Sequence, residues 1–324
     1  MTDQLRLKSF NLGKFVIEYL VFIAIVLLVI ITAIVEPRFL SAENFTNLMR
    51  QFGPLSFVAL GMTFIIVGGF IDLSVPGMIS LVAIISLSLV DTIGEIPAIL
   101  VGLALGAAMG CLNGTILIIS GASTQAKALF ITFGMSQVYG ALALIHTDGT
   151  SMNRNLLEHE MPLTRVLGSG MLGPLSVSFV VFLFFLTVLY IFQTRTFLGR
   201  SINYTGGNIV AAELSGIPTK RIMILIYAIC GFMAAVSAVV LFSRVSVTTP
   251  TVGMNYERDA IMAVVVGGTS LLGGRGNVLR TVLGVSLVVL MSNCMNLMGV
   301  QSHLQEVVRG AILVIAIWLD HRRQ

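Results

Sequence analysis

Apolar runs of about 20 residues alternate along this chain with short polar intervals, and that spacing is what one helix needs to cross the hydrocarbon core of a bilayer. Ten such segments can be drawn, at about 15–35, 46–69, 73–91, 96–119, 126–146, 174–193, 222–243, 257–271, 278–299 and 303–319. The pattern predicts an all-α fold: a polytopic transmembrane helical bundle with about ten spans, forming a single transmembrane domain over residues 1–324. Residues 1–14 are polar and basic, and the first apolar run continues to about Val35. That run is too long for a signal-peptide core and no small-residue cleavage site follows it, so an uncleaved first span is expected.

The pattern is least regular between 52 and 90, where Asp72 is the only charge. The stretch is about twice as long as one span requires, so the chain must break within it. Gly68-Gly69-Phe70-Ile71-Asp72-Leu73-Ser74-Val75-Pro76-Gly77 is the place. Glycine frees the backbone, Pro76 removes a donor, and Asp72 and Ser74 can satisfy the amides that a helix end leaves open. Non-helical backbone at membrane depth survives only when enclosed by protein or beside a water cavity. The break is therefore either a very short turn or a discontinuous helix beside a pathway.

Composition agrees with this reading. The chain is 56% hydrophobic and only 10% charged, too little charge to cover a soluble domain of 324 residues. Its net charge of +4 matters less than where the basic residues fall. With the amino terminus inside, cytoplasmic ends and loops collect Arg6, Lys8, Lys14, Lys127, Arg195, Arg200, Lys220, Arg221, Arg275, Arg280, Arg322 and Arg323, the majority of the 19 Lys and Arg. The positive-inside rule then places both termini in the cytoplasm. Cys111, Cys230 and Cys294 sit inside apolar segments without metal-ligand spacing and read as small core residues.

The longest loop on that side, 194–221, has a legible interior. Asn208 suits a helix N-cap, Ile209 to Ser215 can form two turns, Gly216 suits the position after the helix, and Pro218 prevents continuation. Flanked by Arg195, Arg200, Lys220 and Arg221, this helix could rest on anionic lipid headgroups. It could equally dock a soluble partner, and the small side chains of Ala211 and Ala212 favour close seating in a groove.

A second notable stretch, 253–277, opens on Glu257, Arg258 and Asp259 and closes in a glycine-rich loop. Gly268 to Gly273 has the gap of a phosphate-binding loop, but Gly274 and Arg275 stand where Lys and Ser/Thr belong, and no strand precedes it. Direct nucleotide binding is not expected. Nor does the chain carry a His-Glu-x-x-His pair or a Gly-x-Ser-x-Gly elbow, so no catalytic residue and no metal site is assigned.

Charges in or near spans are costly unless paired. Glu306 and Arg309 are three apart and can neutralise each other, and Arg258 can pair with either neighbouring acid. Glu257 and Asp259 are expected near the outer surface, where they either pair structurally or contact a substrate. Asp72 is the one lone acid well inside an apolar run. Asn113, Gln137, Asn293 and Asn296, with Thr132 and Ser136, can each tie helices together by hydrogen bonds. As a group they could line a path for a neutral polar solute; Asn293 and Asn296 share a helix face.

Three motifs resemble one family. They are Ile71-Asp72-Leu73-Ser74-Val75; Gly206-Gly207-Asn208 with Leu214-Ser215-Gly216-Ile217; and Tyr256-Glu257-x-Asp259-Ala260-Ile261, followed by Val266-Gly267-Gly268-Thr269-Ser270-Leu271 and Gly273-Gly274-x-Gly276. Together they are similar to the ribose-type sugar permeases of bacterial ABC importers, within the branched-chain amino acid and sugar permease family. The likeness runs in order along nearly the whole chain. It departs at Pro76, where the family usually has Gly, at Arg258, commonly apolar, and at Ala128-Leu129-Phe130-Ile131-Thr132-Phe133-Gly134, where it usually reads Pro-Phe-Ile-x-Thr-Leu-Gly.

The resemblance implies an inner-membrane permease subunit, not an enzyme, that pairs with a second permease subunit. A periplasmic solute-binding protein would feed it and a cytoplasmic ABC ATPase would drive it, with ATP and Mg on that partner and no cofactor on this chain. The solute would be small and neutral, a monosaccharide, and nucleic acid has no part. Loop 194–221 would be the coupling loop, with Gly206, Gly207, Asn208, Ala211, Ala212, Glu213 and Gly216 seating the coupling helix and Arg200 steadying its approach. Asn113, Thr132, Asn293 and Asn296 would line the path. A signalling molecule or amino acid as solute, and an ion-coupled carrier using Asp72, are the competing expectations.

Overall fold

The computed structural model describes residues 12–122 and 124–323; residues 1–11 of the polar amino-terminal segment lie outside these. The described residues form α1 (Leu12–Val35), α2 (Ala42–Val67), α3 (Val75–Ile93), α4 (Glu95–Ile119), α5 (Gln125–Thr147), α6 (Pro162–Ser169) and α7 (Val177–Arg195). There follow α8 (Phe197–Gly207), α9 (Ile209–Leu214), α10 (Thr219–Arg244), α11 (Tyr256–Val266), α12 (Val278–Leu297) and α13 (Ser302–Arg323). Each predicted apolar segment overlaps one of these helices. Seven of them (α2, α3, α4, α5, α7, α10 and α12) are long and apolar enough to cross a membrane.

The eighth segment, drawn at 257–271, is a shorter element than expected. Helix α11 stops at Val266, so its 11 residues reach only about 16 Å, roughly half a span. The chain turns there because Gly267 ends the helix and Gly268 adopts φ +94°, closed to most side chains. The approach to α11 is also irregular. After α10, Val247–Thr248 pairs antiparallel with Met152–Asn153, and the chain then runs inward until the Gly253 amide donates to Ser80 Oγ at 3.1 Å, against the first turns of α3.

The bundle has two ends. At the loop end, the end of α8 lies beside the turn after α2 and the loop before α12, and α9 packs on α8 and α10. At the far end, Asn44 of α2 meets Asn293 of α12, and Glu95 accepts hydrogen bonds from the Leu163 and Thr164 amides at 2.9 and 2.6 Å, fastening α6 across the bundle. Between α1 and α2, Arg38 Nε donates to Glu36 at 2.9 Å, and that bond holds the Glu36 carboxyl below its ordinary range.

Helices α2 and α10 form the centre, with 89% and 72% of their most apolar stretches enclosed, against 28% for α5 and 22% for α7. Helix α4 seats on α10 through glycines four residues apart, Gly106, Gly110 and Gly114, while Gly102 faces Ser86 and Val82 of α3. A methyl group at Gly110 would lie 2.1 Å from the Tyr227 carbonyl oxygen, and one at Gly106 2.6 Å from that of Gly231. Such close backbone approach gains dispersion contacts where lipid provides no hydrophobic drive between helices. Helix α7 packs on α2 differently, through edge-to-face rings such as Phe52–Phe182 and Phe57–Phe185. Cys230 and Cys294 are buried among these helices and all three cysteines are free.

Candidate functional site at the helix break and the loop end

Helix α2 ends in a glycine turn. Gly69 has φ +86°; its amide donates to the Ile66 carbonyl at 2.9 Å and the Phe70 amide to that of Ile65 at 3.0 Å. This pair of backward bonds satisfies carbonyls that a helix end would otherwise leave open. Residues 70 to 74 are non-helical, and α3 begins at Val75 with Pro76 in its first turn, where a missing N–H costs nothing. The expected break is present and discontinuous: an irregular segment between two helices, enclosed by protein.

Side chains from three other helices hold that segment. The Leu73 amide donates to Thr132 Oγ1 of α5 at 3.0 Å, and Tyr227 of α10 donates to the Ile71 carbonyl at 3.2 Å. Asp72 Oδ1 accepts from the Ser74 amide at 2.8 Å and from its hydroxyl at 2.5 Å. Asn113 of α4 donates to Ser74 Oγ at 2.7 Å, and Tyr139 of α5 donates to Asn113 Oδ1 at 2.8 Å. Asp72, Ser74, Asn113 and Thr132 are all fully buried. Asp72 Oδ2 receives no hydrogen bond, and no basic side chain forms an ion pair with this carboxyl among the described residues. The Cys230 thiol lies beside it.

Fold thus unites residues that the sequence presents as two sets, the break (Asp72, Ser74, Pro76) and half of the expected path (Asn113, Thr132). The other half lies elsewhere. Asn293 and Asn44 exchange hydrogen bonds at 2.8 and 3.1 Å, and Asn296 accepts from Gln305 of α13 at 2.9 Å. Although they share a helix face, these two asparagines tie α12 to different neighbours at the far end.

Glu257 and Asp259 start α11 and belong to a charged cluster. Arg309 of α13 donates to Asp259 at 2.9 Å and to Ser292 Oγ at 3.0 Å, with Glu306 at 3.9 Å. Arg258 bridges Glu257 at 3.9 Å and Glu306 at 3.5 Å and also contacts Asn255. Arg309 therefore pairs most closely across helices with Asp259, not with Glu306 on its own helix.

At the loop end, α9 has the local chemistry expected of it. Asn208 Oδ1 accepts from the Ala211 amide at 3.0 Å; Gly216, at φ +80°, donates to Glu213 O, and Ile217 donates to Ala212 O. Thr219 donates to Glu213 Oε1 at 2.6 Å, tying the helix to the start of α10. Ala212 is buried, whereas Ala211, Glu213 and Arg200 are exposed, as are the apolar side chains of Val210 and Leu214. One element differs from expectation. Residues 197–207 form a helix, α8, so Gly206 and Gly207 end a helix in place of lying in open loop. Thr196 starts it by accepting from the Gly199 amide at 3.0 Å.

One polar residue stands apart. Gln137, mid-way along α5, is exposed on a face with Phe133, Gly134 and Val138, and its carboxamide makes no hydrogen bond among the described residues. Its place in an apolar helix is legible in sequence; that it alone of the mid-span amides is unpaired is not.

These features define a polytopic helical membrane protein with a buried discontinuity and a self-capped helix at one end. Residues 44–317 match the family described as branched-chain amino acid transport system / permease component, and the chain belongs to that family. It is a transport permease component, not an enzyme. It is 32% identical over 316 residues to the ribose import permease protein of Haemophilus influenzae, covering 97% of this chain and 96% of that one. The ribose import permease protein of Bacillus subtilis is 35% identical over 305 residues (93% and 92% covered), and the xylose transport system permease protein of Escherichia coli 32% over 368 (97% and 93%). No solved structure matches the chain.

Proposed function

We propose that this chain is the transmembrane subunit of a binding-protein-dependent ABC importer that moves a small neutral sugar, a monosaccharide, inward across the bacterial inner membrane. Near-complete, collinear similarity to ribose and xylose permeases is the observation that carries the proposal. A separate cytoplasmic ATPase supplies the energy, with ATP and Mg bound there; a periplasmic binding protein delivers the sugar; a second permease subunit completes the pathway. The distribution of basic residues supports a cytoplasmic loop end and both termini inside.

In this reading α9 is the coupling helix, entering the ATPase with Val210 and Leu214 outward while Asn208, Glu213 and Gly216 hold its shape and Arg200 steadies its approach. Asn113 and Thr132 fix the break around Asp72, Ser74 and Pro76. Asn293 and Asn296 position the far end of α12, and Glu257 and Asp259 brace α11 on the side that receives solute. The path itself runs along the outward face of α5, because an unpaired carboxamide facing lipid costs several kcal/mol and one facing water or a sugar hydroxyl does not. Gln137 then offers the sugar a donor and an acceptor.

Reconstitution with the ATPase and binding protein tests the proposal: labelled ribose or xylose should enter proteoliposomes only with ATP and binding protein present. Uptake that ignores ATP but collapses with an uncoupler would overturn it. That outcome would favour an ion-coupled carrier, a reading supported by the lone buried carboxyl of Asp72. Transport of an amino acid or signalling molecule and of no sugar would keep the importer and replace its solute.

A further inference from the structure

Three stretches of bare backbone cross at the loop end. They come from Gly69 after α2, Gly206–Gly207 at the end of α8, and Gly273–Gly274 in the loop between α11 and α12. The Gly274 amide donates to the Val67 carbonyl at 2.8 Å, satisfying an oxygen that the end of α2 leaves open. A methyl group on Gly206 would lie 1.8 Å from that same oxygen and 2.8 Å from the Gly274 nitrogen. One on Gly273 would lie 2.6 Å from the Gly206 oxygen and 2.8 Å from Gly69 Cα, and one on Gly274 2.7 Å from Gly207 Cα. No side chain fits between these strands.

The loop that reaches this crossing is pinned at both sides. Gln193, at the end of α7 and only 5% exposed, donates to the Gly276 carbonyl at 3.2 Å and accepts from the Val278 amide at 3.1 Å. Gln125, at the start of α5, donates to the Leu271 carbonyl at 3.0 Å. Within the loop, Ser270 N donates to Arg275 O at 2.9 Å. The pinned loop, α8 and the end of α2 therefore move as one packed body or not at all, since backbone contacts have no rotamers with which to yield.

We infer that this glycine crossing transmits motion of α8–α9 to the break at Asp72, and that Gln193 is the positioning residue that makes it stiff. Only Phe70 and Ile71 separate Gly69 from Asp72, so a displacement of Gly206 against Val67 and Gly274 reaches the buried segment without passing through a flexible side chain. The glycine-rich loop thus serves as a bearing between coupling helix and break. This inference rests on the coupling role proposed for α9.

The test uses the reconstituted importer and reads sugar transported per ATP hydrolysed. Gln193→Met keeps the volume and removes both hydrogen bonds. Co-purification of the ATPase and basal hydrolysis should persist, while sugar per ATP should fall about tenfold, the scale of an ordinary coupling between sites. Gln125→Ala, at a half-buried anchor, should give a smaller fall of the same kind, and it decides the matter if Gln193→Met does not fold. Normal sugar per ATP in every variant that assembles overturns the inference. Val210→Arg with Leu214→Arg separates the two claims. If these leave ATPase docking unchanged, the role of α9 fails; if docking is lost while Gln193→Met and Gln125→Ala couple normally, only the crossing fails.

Discussion

The break before α3 and the start of α11 solve the same problem by opposite chemistry. Each places an acid beside a short irregular segment, Asp72 in one and Asp259 in the other. Asp72 is completely buried and has no ion-pair partner among the described residues; it is held by donors from Ser74, two residues along its own chain. Asp259 is less enclosed and pairs with Arg309 from another helix at 2.9 Å. A cation across helices locks two elements together, whereas local donors shape one segment and leave it to be positioned by Asn113, Thr132 and Tyr227. The first arrangement suits a brace and the second a segment that shifts as a unit.

Breaking the brace should have the largest effect. Arg309→Met leaves Asp259 without its cation and is expected to cost about 3 kcal/mol, read as a lowered Tm in detergent. Adding Asp259→Leu should restore most of the loss, because removing both charges also removes the desolvation cost. An additive double mutant would show that the pair is no brace.

At the break, Asp72→Ala should cost about 2 kcal/mol, since the Ser74 amide and hydroxyl both lose their acceptor in a buried site. Asp72→Asn retains an acceptor oxygen and should cost less than about 1 kcal/mol, with ATP-driven uptake persisting. Loss of uptake in Asp72→Asn at normal stability would shift the comparison towards ion coupling. Thr132→Val removes the acceptor for the Leu73 amide and should cost about 1 kcal/mol by the same thermal assay. A null result there would mean that the amide finds water, and hence that the break is not dry.

Gln137→Ala should produce the smallest change in stability, within about 0.5 kcal/mol, because the side chain makes no hydrogen bond among the described residues. Its effect belongs to transport: labelled-sugar uptake should show a raised KM with assembly unchanged. Unaltered uptake kinetics would remove α5 from the path and return attention to Asn293 and Asn296.

Much of this was readable in one dimension. Ten apolar segments, the discontinuity at 68–77, and the short helix between Asn208 and Gly216 follow from hydropathy and from capping, both of which act within a few residues. Other features are not legible where local signals are weak. The glycines and polar residues of α8 carry low helix propensity and resemble a loop in sequence; docking of Gly199 against Phe192 and Gln193 supports the helix instead. The segment at 257–271 resembles a full span in sequence because Ala260 to Val266 is apolar throughout and no charge follows until Arg275, although Gly267 and Gly268 mark where the helix turns away.

Sequence alone determined the class of the protein, its apolar segments, its break and the capped helix α9, because backbone satisfaction in lipid and cap chemistry are short-range demands. Tertiary structure alone decided the partners of each polar group. It drew Asn113 and Thr132 to Asp72, sent Asn293 to Asn44, left Gln137 bare, and brought Gly69, Gly206 and Gly274 into backbone contact. Hydrogen bonds and close approach depend on which helices are neighbours, and residues as far apart in sequence as Asn44 and Asn293 become neighbours only when the bundle closes.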